Sequence, residues 1–236
     1  MKKIYLAFVF LTFAGVSFAQ LKINDANAET RPVQAFHGIK VSHAIDLYLS
    51  QSDEEVVAVS ASKAEYRDRI KTEVQNGVLR IWYDNPPKWS RGDKKLRAYV
   101  SFKALDNLKA SGASDVRVTG TIKGNELNID MSGASDFDGA IDVNSLRVDL
   151  SGASDMNVKG SATTLKIDVS GASDFKGFDF EADNCSASAS GASDIKITVN
   201  KELSAQASGA SGVHYKGSGV IRDIKTNGAS SVSKKG

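Results

Sequence analysis

From Phe36 onward apolar and polar positions alternate along the chain. Ile39, Val41, Ile45, Leu47 and Leu49 keep a period near two, and Val56, Val57 and Val59 follow in a β-branched run, so both stretches predict strands. Residues 63–70 carry charges at helical spacing and predict one short helix or turn. Thr72 to Trp82 is two alternating segments around Asn76-Gly77, a dipeptide that supplies the positive φ angles of a type I′ hairpin. Asp84 to Asp93 contains Asn85-Pro86-Pro87 and Arg91-Gly92-Asp93 and reads as a loop, and Leu96 to Phe102 is a further strand.

Beyond that strand the alternation acquires a longer beat. Ser-Gly-Ala-Ser-Asp stands at 111–115, 132–136, 151–155, 170–174 and 190–194, then weakens to Ser208-Gly-Ala-Ser-Gly212 and Asn227-Gly-Ala-Ser-Ser231; successive starts lie 21, 19, 19, 20, 18 and 19 residues apart. Ahead of three copies run Leu127-Asn-Ile-Asp-Met131, Leu146-Arg-Val-Asp-Leu150 and Leu165-Lys-Ile-Asp-Val169, each with one apolar face. Gly turns the chain, Ala is expected to tuck inward where the coil narrows, and a second short strand follows on Phe137, Met156 or Phe175. A 19-residue period of short strands without long helices predicts an all-β fold, a right-handed parallel β-helix (β-solenoid) whose coils bury their apolar side on one another. Ser42-His43-Ala44-Ile45-Asp46 reads as a worn copy of the same turn.

The expected organisation is a signal peptide over 1–19, a polar leader over 20–35, an N-terminal β-rich capping part with the hairpin over 36–105, and repeated coils over 106–233. Lys2 and Lys3, the apolar run from Ile4 to Phe18 and the small residues of Ser17-Phe18-Ala19 predict export with cleavage after Ala19. At about 15 residues the run is short of the ~20 that span a bilayer, so no membrane insertion is expected once the signal is removed. Removal takes the 30 basic residues to 28, equal to the 28 acidic ones, and a balanced chain offers no footprint for nucleic acid. Cys185 is the only cysteine, so it forms no intrachain disulfide and reads as a small buried hydrophobe.

Stacked coils place Asp115, Asp136, Asp155, Asp174 and Asp194 in one file. Either each carboxylate caps backbone N–H groups of its own turn, or the file holds cations, Ca²⁺ by ligand type. The Gly-Gly-x-Gly-x-Asp beat of calcium-binding β-rolls is absent. A second file, Asp130, Asp149 and Asp168, falls on the outward face, with Lys109, Ser188, Gln206 and Lys225 at the equivalent places of flanking coils. His37, His43 and His214 are the only histidines and lack metal-ligand spacing. No Gly-x-Ser-x-Gly elbow, phosphate loop or dinucleotide fingerprint occurs, and acids that repeat with the coil do not converge on one place, so no enzyme activity, catalytic residue or cofactor is expected. Trp82, Tyr83 and Trp89 are candidates for a ligand-stacking platform, against an equal reading as core. Arg91-Gly92-Asp93 matches an adhesion tripeptide but is short enough to arise as a plain turn.

Phe36-His-Gly-Ile-Lys-Val-Ser-His-Ala-Ile-Asp46, the hairpin closed by Asn76-Gly77-Val78-Leu79-Arg80-Ile81 and the serial Ser-Gly-Ala-Ser-Asp turns together resemble the putative autotransporter adhesin, head GIN domain family, over residues 34–230. The resemblance implies an exported β-helix-like body of the Gram-negative envelope, in the periplasm, at the cell surface or outside. The chain carries no autotransporter barrel, so it implies another export route. The expected function is non-enzymatic adhesion or surface interaction with a surface protein or polysaccharide; the alternative is a carbohydrate-binding or carbohydrate-cleaving β-helix. The polar C-terminal edge near Ser231 suggests a homo-oligomer or a partner there.

Overall fold

A computed structural model describes residues 25–84 and 94–235; the expected signal peptide over 1–19, the first residues of the expected leader, Trp89 and Arg91-Gly92-Asp93 lie outside them. The fold is a parallel β-solenoid of about seven turns with roughly 19-residue coils. Strands come in chain order as β1 (Glu29–Arg31), β2 (Gly38–Val41), β3 (Asp46–Gln51), β4 (Val56–Ser60), β5 (Ile70–Gln75), β6 (Val78–Tyr83), β7 (Arg97–Phe102) and β8 (Asn107–Ala110), with one short helix, α1 (Ala64–Arg67), between β4 and β5. The long coil strands are β9 (Val116–Met131), β10 (Phe137–Leu150), β11 (Asp155–Val169), β12 (Asp174–Ala189) and β13 (Asp194–Gly209), and β14 (Gly212–Lys216), β15 (Val220–Gly228) and β16 (Ser231–Lys234) close the chain. Where the period suggested two or three short strands per coil, β9 to β13 are each one run of 14 to 16 residues. The Ser-Gly-Ala-Ser corner separates one run from the next, and within the runs bulges shift the register, as between Asn157 and Gly160.

That corner explains the repeat. Its glycines, such as Gly133, Gly152 and Gly171 at φ 84°, 79° and 79°, take a backbone region that side chains resist. Space is as restrictive as angle: a Cβ on Gly152 would lie 2.5 Å from the carbonyl oxygen of Gly133 in the coil below. The corners therefore stack backbone on backbone, with the Ala153 N–H donating to Gly133 O at 2.7 Å and the Ala172 N–H to Gly152 O at 2.8 Å.

The alanine is not tucked inward. Ala113, Ala134, Ala153, Ala172 and Ala192 are exposed, and the second serine of each motif goes inside instead: Ser114, Ser135, Ser154 and Ser173 are fully buried. A buried hydroxyl needs partners. The N–H of Ile45 donates to Ser114 Oγ, Ser114 N–H to Ser135 Oγ, Ser135 N–H to Ser154 Oγ and Ser154 N–H to Ser173 Oγ, at 3.0 to 3.3 Å. Serine is selected because a hydroxyl closes a backbone donor left over at the bend, which an alanine methyl cannot do.

Between corners, like stacks on like. Leu127, Leu146, Leu165, Cys185 and Leu203 form one inward ladder, and Val116, Phe137, Met156, Phe175, Ile195 and Val213 another. All are buried, and burial of apolar area is the term that holds the coils together, roughly 1.5–3 kcal/mol for each large side chain. Cys185 sits in this ladder, and burial pushes its thiol up to about 12, so it packs as a hydrophobe.

The N-terminal part is not stacked in sequence order. The first coil, β2 and β3, lies between β6–β7 on one side and β8–β9 on the other, all parallel. The chain thus runs outward through β4 to β7 and then returns under β2–β3 to begin the regular coils. On that outer end the direction reverses: β4 pairs antiparallel with β7, β5 with β6, and β1 with β4. Asn76 and Gly77, at φ 52° and 74°, form the β5–β6 turn as their sequence requires. The leader contributes β1, and Asp25 accepts a hydrogen bond from Tyr99 Oη at 2.9 Å, so part of it belongs to the fold.

Candidate functional site

The corner aspartates do stack, in register from Asp155 to Asp174 to Asp194. Their hydrogen bonds differ from the expected caps, because the donor comes from the next coil. Asp155 N–H donates to Asp136 Oδ1 at 3.3 Å, and Asp174 N–H to Asp155 Oδ1 at 3.2 Å. Repulsion between neighbouring carboxylates in water is on the order of 1 kcal/mol, whereas a hydrogen bond to a charged group contributes about 1.5–3 kcal/mol, so the file holds. Cations help: Lys176 Nζ lies 2.6 Å from Asp155 and 3.7 Å from Asp174, and Arg117 lies 3.4 Å from Asp115. The hydrogen bond that Lys176 donates to the Asp155 carboxylate raises the ammonium above its ordinary pKa. Asp115, Asp136, Asp155, Arg117 and Lys176 line a shallow groove of about 370 Å³. Among the described residues no group of three or more His, Cys, Asp or Glu side chains is placed to hold a metal ion.

The second acidic file also falls where its spacing puts it, with Lys109, Asp130, Asp149, Asp168, Ser188, Gln206 and Lys225 in one register. It is neutralised within its own face. Lys109 bonds Asp130 at 3.1 Å, Arg147 grips Asp149 with two nitrogens at 2.9 and 3.0 Å and reaches Asp168 at 3.5 Å, and Lys166 lies 3.7 Å from Asp168.

The aromatic candidates divide by strand alternation. Leu79, Ile81 and Tyr83 of β6 point inward, and at 2% exposure Tyr83 is core, which removes it from any platform. Trp82 and Arg80 point outward, with the guanidinium 5.7 Å from the indole ring centroid. Lys40, Ser42, His43, Arg80, Trp82 and Ser111 line a groove of about 320 Å³ that contains no acidic side chain. Lys40 stands in register between Arg80 and Lys109. Arg80 is steadied by Gln75 Oε1 at 2.9 Å, and the His43 ring by Ser42 Oγ at 2.8 Å.

His43 is the unexpected member. The worn motif occupies the corner below Ser111 to Asp115: Ser111 N–H donates to Val41 O at 3.1 Å, and Ile45 takes the place of the buried serine. His43 and Ala44 there have φ of 67° and 57°, and the later corners carry glycine at their positive-φ position. A left-handed conformation costs a side-chain residue roughly 1–2 kcal/mol. The clue in the sequence was a histidine where the motif elsewhere has glycine.

One known family matches most of these coils. The family described as "Putative auto-transporter adhesin, head GIN domain" matches residues 35–219. The chain belongs to that family. Among solved structures, the head GIN domain chain is similar to a putative adhesin from Bacteroides fragilis, with 20% identity, TM-score 0.83, and coverage of 88% of this chain and 96% of that one. It is also similar to a putative adhesin from Parabacteroides distasonis, at 18% identity and TM-score 0.69 over 88% and 96% of the two chains. A putative lipid binding protein from the same species follows at 21% identity and TM-score 0.65, over 90% and 98%. At these identities the likeness is one of fold. No curated protein matches the chain.

Proposed function

We propose that the protein is an exported, non-enzymatic β-solenoid that acts in adhesion or surface interaction, and that the Trp82 groove is its contact with a surface protein or polysaccharide. Membership of a family described as adhesins supports the class of function, and among the described residues no helix is long and apolar enough to cross a membrane. The observation that carries the site is His43. The later corners put a single glycine in the left-handed region, whereas His43 and Ala44 are both left-handed here, and the strained histidine beside Lys40, Arg80 and Trp82 supports a role in what it presents to the groove. An indole face with two cations and no carboxylate suits an acidic group carried on a ring or chain, such as an acidic sugar or an acidic side chain. The outer ladders elsewhere hold their charges in mutual pairs and offer shape but little unsatisfied charge.

The test is retention of the protein on immobilised acidic polysaccharide and on acidic matrix protein, with His43→Gly and Trp82→Ala beside the wild type. Loss of retention in both variants with melting temperatures held supports the groove. Equal retention of all three sinks it.

A further inference from the structure

The described residues expose three large apolar side chains, Val220 at 65%, Ile221 at 42% and Ile224 at 40%, and all three stand on β15. Ile221 and Ile224 continue the core ladders, in register with Leu203 and Ala205, which are fully buried one coil below. They are exposed because β15 pairs β13 on one edge and no described strand on the other. The solenoid core therefore ends open, with a row of unpaired backbone groups beside it, a combination that soluble proteins ordinarily cover. The opposite end has two edge strands, and neither exposes a large apolar side chain: β1 has three residues, with Glu29 and Arg31 ion-paired, and β5, the far edge of the same ladder, turns Lys71, Glu73 and Gln75 to solvent.

The charge pattern of β15 says what fits. Asp223 and Lys225 flank Ile224, with Lys225 Nζ 3.0 Å from Asp223 Oδ2. If a second β15 is laid antiparallel and centred on Ile224, Ile224 faces Ile224 of the second copy over the core. Asp223 then faces Lys225 of the second copy and Lys225 faces Asp223, on the solvent side. Facing apolar pairs and facing opposite charges are both favourable cross-strand arrangements, and the pattern is its own complement, as a two-fold contact requires. A head-to-tail stack would instead bring the Ile224 edge onto β5, which offers Ile221 and Ile224 no exposed large apolar side chain.

We propose that the protein forms an end-to-end dimer by antiparallel pairing of β15 with β15 of a second copy, joining two open cores into one. The two Trp82 grooves would then lie at the far ends of the dimer, since β6 belongs to the opposite end of the stack, and a ligand surface could be engaged twice. The dimer does not depend on what the grooves bind.

The experiment is light scattering of the protein over a concentration series up to millimolar, with three variants whose melting temperatures are also measured. The wild type is expected at twice the chain mass, Ile224→Lys at the chain mass, and Asp223→Lys at the chain mass because Lys then faces Lys. The double exchange Asp223→Lys with Lys225→Asp restores the facing pairs and is expected to return the mass to that of the dimer. A wild type that stays monomeric throughout, a dimer that survives both single variants, or a mass that grows without limit would each overturn the proposal.

Discussion

Two corners of the same solenoid solve one bend in different ways. At Ser151 to Asp155 a glycine takes the left-handed residue, a serine goes inside and an aspartate reaches the next coil; at Ser42 to Asp46 a histidine and the following alanine take the strain and an isoleucine goes inside. The regular corner has coils on both sides, so any added atom strikes backbone. The worn corner borders the irregular end, where His43 opens on a groove rather than on another Gly-Ala corner. What the difference teaches is that the motif is a packing solution wherever coils are stacked above and below, and becomes free to carry something else at the margin.

The largest effect is expected from Gly152→Ala, which adds a left-handed penalty to a Cβ 2.5 Å from Gly133 O, a backbone atom that cannot step aside. A loss of roughly 2–4 kcal/mol should appear in urea unfolding. Ser154→Ala removes the acceptor of the Ser135 N–H in a buried site and should cost about 1–3 kcal/mol by the same measurement; the serine is a space filler and nothing more if stability is unchanged. Replacing Asp136, Asp155 and Asp174 together by Asn weakens the bonds between coils and the pairing with Lys176, and should lower the melting temperature. Calcium should leave the wild-type melt where it is, since a ligand of the folded state alone would raise it; a calcium shift lost in the Asn variant would make the file a cation site after all. The smallest effect has the opposite sign. His43→Gly relieves strain at a position where glycine is at home, and should hold stability or raise it by up to about 1 kcal/mol, net of the entropy glycine loses on folding. A clear destabilisation there would show His43 to be a structural residue and would remove the reason for placing a site beside it.

Much of this was legible along the chain. A repeat near 19 residues with alternating apolar positions leaves little choice but a stacked coil, because a single coil cannot bury its own apolar side; Asn76-Gly77 specifies its turn through φ alone; and the aspartate files follow from spacing. Those are properties of local conformation and of period, which sequence carries directly. Which of the two small residues in Gly-Ala-Ser faces inward was not legible, since either fits the space and only the leftover N–H of the preceding coil selects the hydroxyl. The placing of β2–β3 between β7 and β9 was hidden for the same reason: strand pairing between distant segments has no local signal. Trp82 and Tyr83 were alike as sequence neighbours, and the pleat of β6 put one in a groove and the other in the core. The period along the chain determined that coils would form and where they would turn; the stacking of one coil on the next decided which side chains fill the interior, which pair across it, and which are left facing water at the two ends.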